Sequence, residues 1–175
     1  MDEKKLLSIH KKYLKVKPKV LRGITRSMYD FARYIVDTNK YIPKCEICIS
    51  IGQTLLPKYK ETIEAVFKAP LINRYVSTEC GDIASQCKKQ EGLHYVPTLY
   101  YIEILDSILN QVSEGKIGEL YITILNSRYF PLIRYKTNDF AIYSSKPCSC
   151  DITFSTIKYT WIYINPCYKR PLFNT

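Results

Sequence analysis

The chain has 175 residues, 46% of them hydrophobic, and a formal charge of +10 from 26 Lys and Arg against 16 Asp and Glu. That length suits one domain, or one domain with a small subdomain, and leaves no room for a large two-domain enzyme. The composition is globular, no apolar run approaches the roughly 18 residues that cross a bilayer, and seven unevenly spread cysteines suit thiols or a metal in a reducing compartment better than a disulfide framework.

The first residues, Met1-Asp2-Glu3-Lys4-Lys5, carry no apolar signal core, so the expected address is the cytoplasm, with no membrane partner. Lys4, Lys5, Lys11, Lys12, Lys15, Lys17, Lys19 and Arg22 are interleaved with Leu6, Leu7, Tyr13 and Leu14 at helical intervals. This pattern reads as a helix with a solvated basic face. Clustered charge of this kind also admits a nucleic-acid-binding domain, but no helix-turn-helix, zinc finger or aromatic RNA platform accompanies it, and nucleic acid is not the expected partner. Pro18 breaks the pattern. Ser27 is the expected cap of a second helix carrying Met28, Phe31, Ala32, Ile35 and Val36 on one face.

Cys45 to Ile51, ending at Gly52, reads as a buried strand; Pro57 opens a third helix with Tyr59, Ile63, Val66 and Phe67 on one face; Leu71 to Tyr75 is the next strand. A strand, a helix and a strand in this order build a parallel sheet covered by helices. Beyond Gly81 the segments Tyr100–Leu105, Glu119–Leu125, Leu132–Tyr135 and Phe140–Tyr143 are short, β-branched or aromatic, and Ser113 to Gly118 reads as a hairpin loop. The expected fold class is therefore α/β: part of a parallel sheet with covering helices over residues 1–84, a small β-subdomain over 85–150, and a divergent tail over 151–175.

Two segments carry chemistry: Tyr75-Val76-Ser77-Thr78-Glu79-Cys80-Gly81-Asp82 and Pro131-Leu132-Ile133-Arg134-Tyr135-Lys136-Thr137-Asn138-Asp139. Taken alone, Ser-Thr-Glu after a strand is a helix-capping signal. In order, with Gly118-Glu119-Leu120 between them, they resemble the phenylacetate–coenzyme A ligase branch of the adenylate-forming superfamily, which includes capsule-biosynthesis adenylating enzymes. Weaker matches are Lys17 to Gly23 and Ser50 to Leu55, where Gln53 departs from the family's Glu, so the resemblance spans roughly residues 10 to 150.

The resemblance implies a truncated N-terminal domain of an enzyme that joins an aryl or acyl carboxylate to ATP, releasing pyrophosphate, and often passes the acyl group to coenzyme A. It places Tyr75 near adenine and Ser77 among the nucleotide contacts. Thr78 would donate its hydroxyl to phosphate and Glu79 would ligate Mg²⁺, for which a hard carboxylate is apt. Asp139 would accept the ribose hydroxyls and Arg134 would lie near the nucleotide and hold its segment. Val76 stands where the family has Gly, and Asn138 replaces another Gly whose left-handed conformation Asn tolerates.

Cys87 and His94 with the distant pair Cys148 and Cys150 offer three thiolates and an imidazole, a set that closes a tetrahedral structural zinc site. Cys45 and Cys48 are expected on opposite strand faces as core thiols, and Cys80, without a nearby His, is not expected to be a nucleophile. The six glycines never cluster, so the family's phosphate loop is not represented, and neither is its lid domain. The reading is thus a ligase fragment, inactive alone and suited to a chain that supplies the missing half-domain. A non-catalytic nucleotide- and zinc-binding module is the alternative.

Overall fold

A computed structural model of the protein describes residues 1–142 and 148–150 and the backbone of 160–162; the expected divergence of the tail over 151–175 lies outside the described side chains. Helix α1, Glu3–Val16, begins where the Asp2 carboxylate accepts the Lys4 amide at 3.0 Å. Leu6, His10 and Tyr13 are its buried stripe, and the lysines point to solvent. Lys17, at φ 47°, closes it by donating its amide to Tyr13, because Pro18 disfavours a helical residue before it.

Strand β1, Val20–Ile24, runs directly into α2, Thr25–Asp37. The sequence pattern does not announce β1, and Ser27 is not the cap of α2: no side chain of the Ile24 cap position serves. Gln53 takes the role from a distance, its side-chain oxygen accepting the Arg26 amide at 3.0 Å. Val36, expected on the apolar face, is exposed, while Met28, Phe31, Ala32, Tyr34 and Ile35 are buried.

Strand β2, Ile47–Ile51, helix α3, Pro57–Phe67, and strand β3, Leu71–Ser77, form the expected parallel unit. β1 adds to it in parallel, Val20 opposite Ile47. Three rings from three elements meet in the core: Tyr13 lies 6.1 Å from Phe31 and 5.8 Å from Phe67, and Phe31 lies 5.9 Å from Phe67. A polar thread joins α2 to two of the strands. Thr25 and Ser50, both fully buried, share a 2.9 Å hydrogen bond, and Ser50 donates to Asn73 at 3.3 Å.

β4, Gly81–Gln86, returns antiparallel on β3, and β5, Leu93–Tyr95, completes the order β1-β2-β3-β4-β5. The chain divides into two compact units, Met1–Leu93 and His94–Thr175. The second is an antiparallel meander of β6 Tyr100–Leu105, β7 Ile117–Ile124, β8 Tyr135–Ile142 and β9 Thr160–Ile162, with Ile104, Leu105, Leu120, Ile122 and Ala141 at its centre. Leu132–Tyr135 is not a strand of its own; only Tyr135 is extended, at the start of β8. Pro131 has no amide for a ladder, and Arg134 sits at φ 52° with its amide given to the Thr123 hydroxyl.

Candidate functional site

The first of the two motifs occupies the end of β3 and the turn into β4. No helix follows it, so Ser-Thr-Glu is not a helix cap here. The ladder slips between Tyr75 and Val76, and the Ser77 hydroxyl accepts the Cys80 amide at 2.9 Å, closing the hairpin. Gly81 turns the chain at φ 73°, a conformation that costs glycine little. Tyr75 and Ser77 are half-buried in the strand, while Thr78 and Glu79 stand exposed at the tip. A hydroxyl and a carboxylate are thus offered side by side beyond the carboxyl end of a parallel strand, where ligands of open α/β sheets bind. Cys80 is buried; desolvation pushes its thiol up, a hydrogen bond with Ser77 pulls it down, and the Glu79 charge pushes it up again. A thiol held in its neutral form is a poor nucleophile, as its sequence context indicates. At the strand's outer side Asp82 pairs with Arg74 at 3.1 Å and with Arg22 at 3.8 Å.

The second motif is a bulge. Between the pairs Tyr121↔Lys136 and Glu119↔Phe140, one residue of β7 faces Thr137, Asn138 and Asp139 of β8. Asn138 adopts φ 62°, the left-handed conformation expected of it. The Thr137 hydroxyl donates to the Leu120 carbonyl at 3.0 Å and accepts the Asp139 amide at 3.1 Å. Asp139 is therefore carried on a backbone whose bulge is tied to its neighbouring strand. Lys136 pairs with Glu119 at 2.7 Å. Arg134 grips Glu103 of β6, with Nε at 3.2–3.3 Å and one terminal nitrogen at 3.0 Å. Glu103 and Thr123, both partners of Arg134, escape the motif reading because each lies on a strand far in sequence from the residue it holds.

The third constellation is the thiol and imidazole set. Cys87 lies on the turn after β4, where its carbonyl accepts the Gln90 amide, and His94 lies on β5. The ligand atoms of Cys87, His94, Cys148 and Cys150 all lie within 4.8 Å of one another, and Cys150 Sγ approaches His94 Nε2 to 3.7 Å. Metal–sulfur bonds of about 2.3 Å set ligand atoms roughly 3.8 Å apart around a tetrahedron. The four side chains therefore need only a small contraction to close on one ion, and their donor set fits Zn²⁺.

Cys45 and Cys48 correct a different expectation. Cys45 precedes β2 and does not follow strand alternation, so the two sulfurs do not diverge but meet at 3.5 Å in the core. They remain core thiols: burial first, then the neighbouring Cys45, pushes the Cys48 thiol far up.

No protein-family model matches the chain. Its fold matches solved acyl-CoA ligases. A 2-hydroxyisobutyryl-CoA ligase in complex with 2-HIB-AMP and CoA aligns with a TM-score of 0.72 at 15% identity, over 83% of this chain and 36% of that one. The anthranilate CoA ligase AuaEII with anthranoyl-AMP gives 0.62 at 12% identity over 80% and 30%. A benzoate CoA ligase from Burkholderia xenovorans LB400 gives 0.56 at 20% identity over 83% and 31%. The chain has the fold of part of an adenylate-forming ligase. In sequence it is similar to Protein CapK of Staphylococcus aureus, 30% identical over 131 residues, covering 74% of this chain. The chain spans about 27% of the length of that curated relative. Among the described residues no helix is long and apolar enough to cross a membrane.

Proposed function

We propose that the chain is a nucleotide-gripping portion of an ATP-dependent ligase that activates an aryl or acyl carboxylate as its adenylate. The observation that carries this reading is the tied bulge at Thr137–Asp139, set in a fold shared with acyl-CoA ligases. In the reaction a carboxylate oxygen attacks the α-phosphorus of ATP and pyrophosphate leaves. Asp139 accepts the ribose hydroxyls and Tyr75 and Ser77 flank the nucleotide. The Thr78 hydroxyl follows the phosphate as charge develops, and the Glu79 carboxylate would hold a Mg²⁺ whose charge would offset that of the triphosphate. Transfer to coenzyme A belongs to the complete ligase. These 175 residues present no clustered glycines for the β- and γ-phosphates, so on their own they bind nucleotide without turning it over and need the rest of the fold as a partner. A cytoplasmic setting, with ATP and reduced thiols, suits them. Cys87, His94, Cys148 and Cys150 would hold a structural Zn²⁺, whose binding would add to the stability of the fold.

Calorimetric titration of the chain with AMP, alongside Asp139→Ala, tests the reading. Binding that falls with the substitution and varies little with salt supports it; binding unaffected by Asp139→Ala refutes it. Affinity for any polyanion that collapses steeply with ionic strength would instead mark the basic N-terminal helix as a nucleic-acid surface. Pyrophosphate exchange by the chain alone would refute its inactivity.

A further inference from the structure

We infer that Glu103 is a positioning residue for the nucleotide segment, acting through Arg134 to fix the path on which Asp139 is presented; this rests on the ribose-binding reading of Asp139. Arg134 lies 31 residues from Glu103 and delivers Nε and a terminal nitrogen to both carboxylate oxygens at 3.0–3.3 Å. A forked pair of this kind constrains the guanidinium in direction as well as distance. The Glu103 side chain is 14% exposed against 52% for Arg134, so the carboxylate is the anchored end and the arginine is drawn to it.

The backbone explains what the anchor accomplishes. Arg134 sits at φ 52°, a conformation that a residue with a β-carbon holds only when its surroundings impose it. Two restraints converge on it: the Glu103 fork on its side chain and the Thr123 hydroxyl on its amide at 2.9 Å. Three residues on, Thr137 is tied to the Leu120 carbonyl. Glu103, Thr123 and Leu120 all belong to β6 or β7, so the segment leading to Asp139 is tied at Arg134 and again at Thr137 to the neighbouring strands of its own sheet. With its charge met by Glu103, Arg134 serves the segment and does not act as a phosphate-binding cation.

The full chain and its Glu103→Gln variant are titrated with AMP and with 2′-deoxy-AMP, and amide hydrogen exchange over residues 131–139 is followed without nucleotide. Glutamine keeps the shape and removes the charge. The wild type is expected to prefer AMP. In the variant the AMP dissociation constant should rise roughly two- to fivefold, the scale of losing one partly exposed ion pair. The preference over 2′-deoxy-AMP should shrink, and exchange over 131–139 should quicken. The reversed pair Glu103→Arg with Arg134→Glu should restore part of the preference. A wild type indifferent to the 2′-hydroxyl sinks the ribose reading of Asp139 itself. A wild type that discriminates and a variant that discriminates equally overturn the role of Glu103 alone, even if exchange quickens, since the pair would then only stabilise the hairpin.

Discussion

Gly118 ends a loop and opens the family-like Gly118-Glu119-Leu120 in the sequence, and the structure makes it a sharp test. It lies on β7 opposite Ala141, with no left-handed backbone to justify it. A β-carbon there would meet the Leu105 carbonyl oxygen at 2.7 Å, Ile104 Cγ2 at 2.8 Å and Val112 Cγ1 at 2.8 Å. The first of these is backbone of β6, held by its own ladder to β7, so it cannot rotate aside as a side-chain tip would. Gly118→Ala should therefore force β6 and β7 apart locally. Overpacking of this sort costs about 1–3 kcal/mol, against which the lower chain entropy of alanine returns about 0.5–1 kcal/mol. At the middle of both ranges the net is a destabilisation of about 1 kcal/mol, or a fall of roughly 2–4 °C in the melting temperature for a chain of this size. Gly23→Ala is the control. Its β-carbon would meet only the Met28 side chain, at 3.0 Å for Cγ and 3.5 Å for the sulfur, and a methionine can move. Thermal unfolding followed by circular dichroism reads both variants. A Gly118→Ala protein as stable as the wild type, or no less stable than Gly23→Ala, would refute the steric account.

Ser50→Ala removes the hydroxyl that joins buried Thr25 to Asn73 and should cost about 1–3 kcal/mol in denaturant unfolding; pairing it with Thr25→Val should cost less than the sum of the single changes, and strict additivity would show that the thread does not act as a unit. The zinc proposal predicts close to one equivalent of metal by elemental analysis and its loss in Cys148→Ser; a metal-free preparation that unfolds identically with and without added zinc would sink it. At Asp30 burial works against ionisation, yet hydrogen bonds from the amino terminus at 3.1 Å and Arg26 at 2.8 Å outweigh it and hold the carboxyl below its ordinary range. A depressed folded-state pKa gives stability that is present above the unfolded value, roughly 3.9, and lost as pH falls through the folded one. Asp30→Asn should therefore be less stable than the wild type at neutral pH, with the gap closing in acid; a constant gap from pH 6 to pH 2 would exclude the ionic account.

Order along the chain was legible wherever a segment buries one face by itself. The stripe of α1, the apolar side of α2 and α3, the strands β2 and β3 and the hairpin of β6 and β7 follow from periodicity and punctuation, because local spacing decides which side chains can share a face. The left-handed Asn138 and the grouping of Cys87, His94, Cys148 and Cys150 were also legible as residue types. What the residues touch was not. β1 escaped notice because its alternation is weak and its stability comes from pairing with β2. The cap of α2 is supplied by Gln53, a residue in the loop after β2. Cys45 and Cys48 meet because the first lies before the strand begins. Gly118 is glycine because of a carbonyl on another strand, and Arg134 is restrained by Glu103, 31 residues away. All but the cysteine pair are contacts between segments far apart in sequence. Only the folded chain creates such contacts, because the register of one strand on another, and not the spacing within either, sets which atoms come within reach.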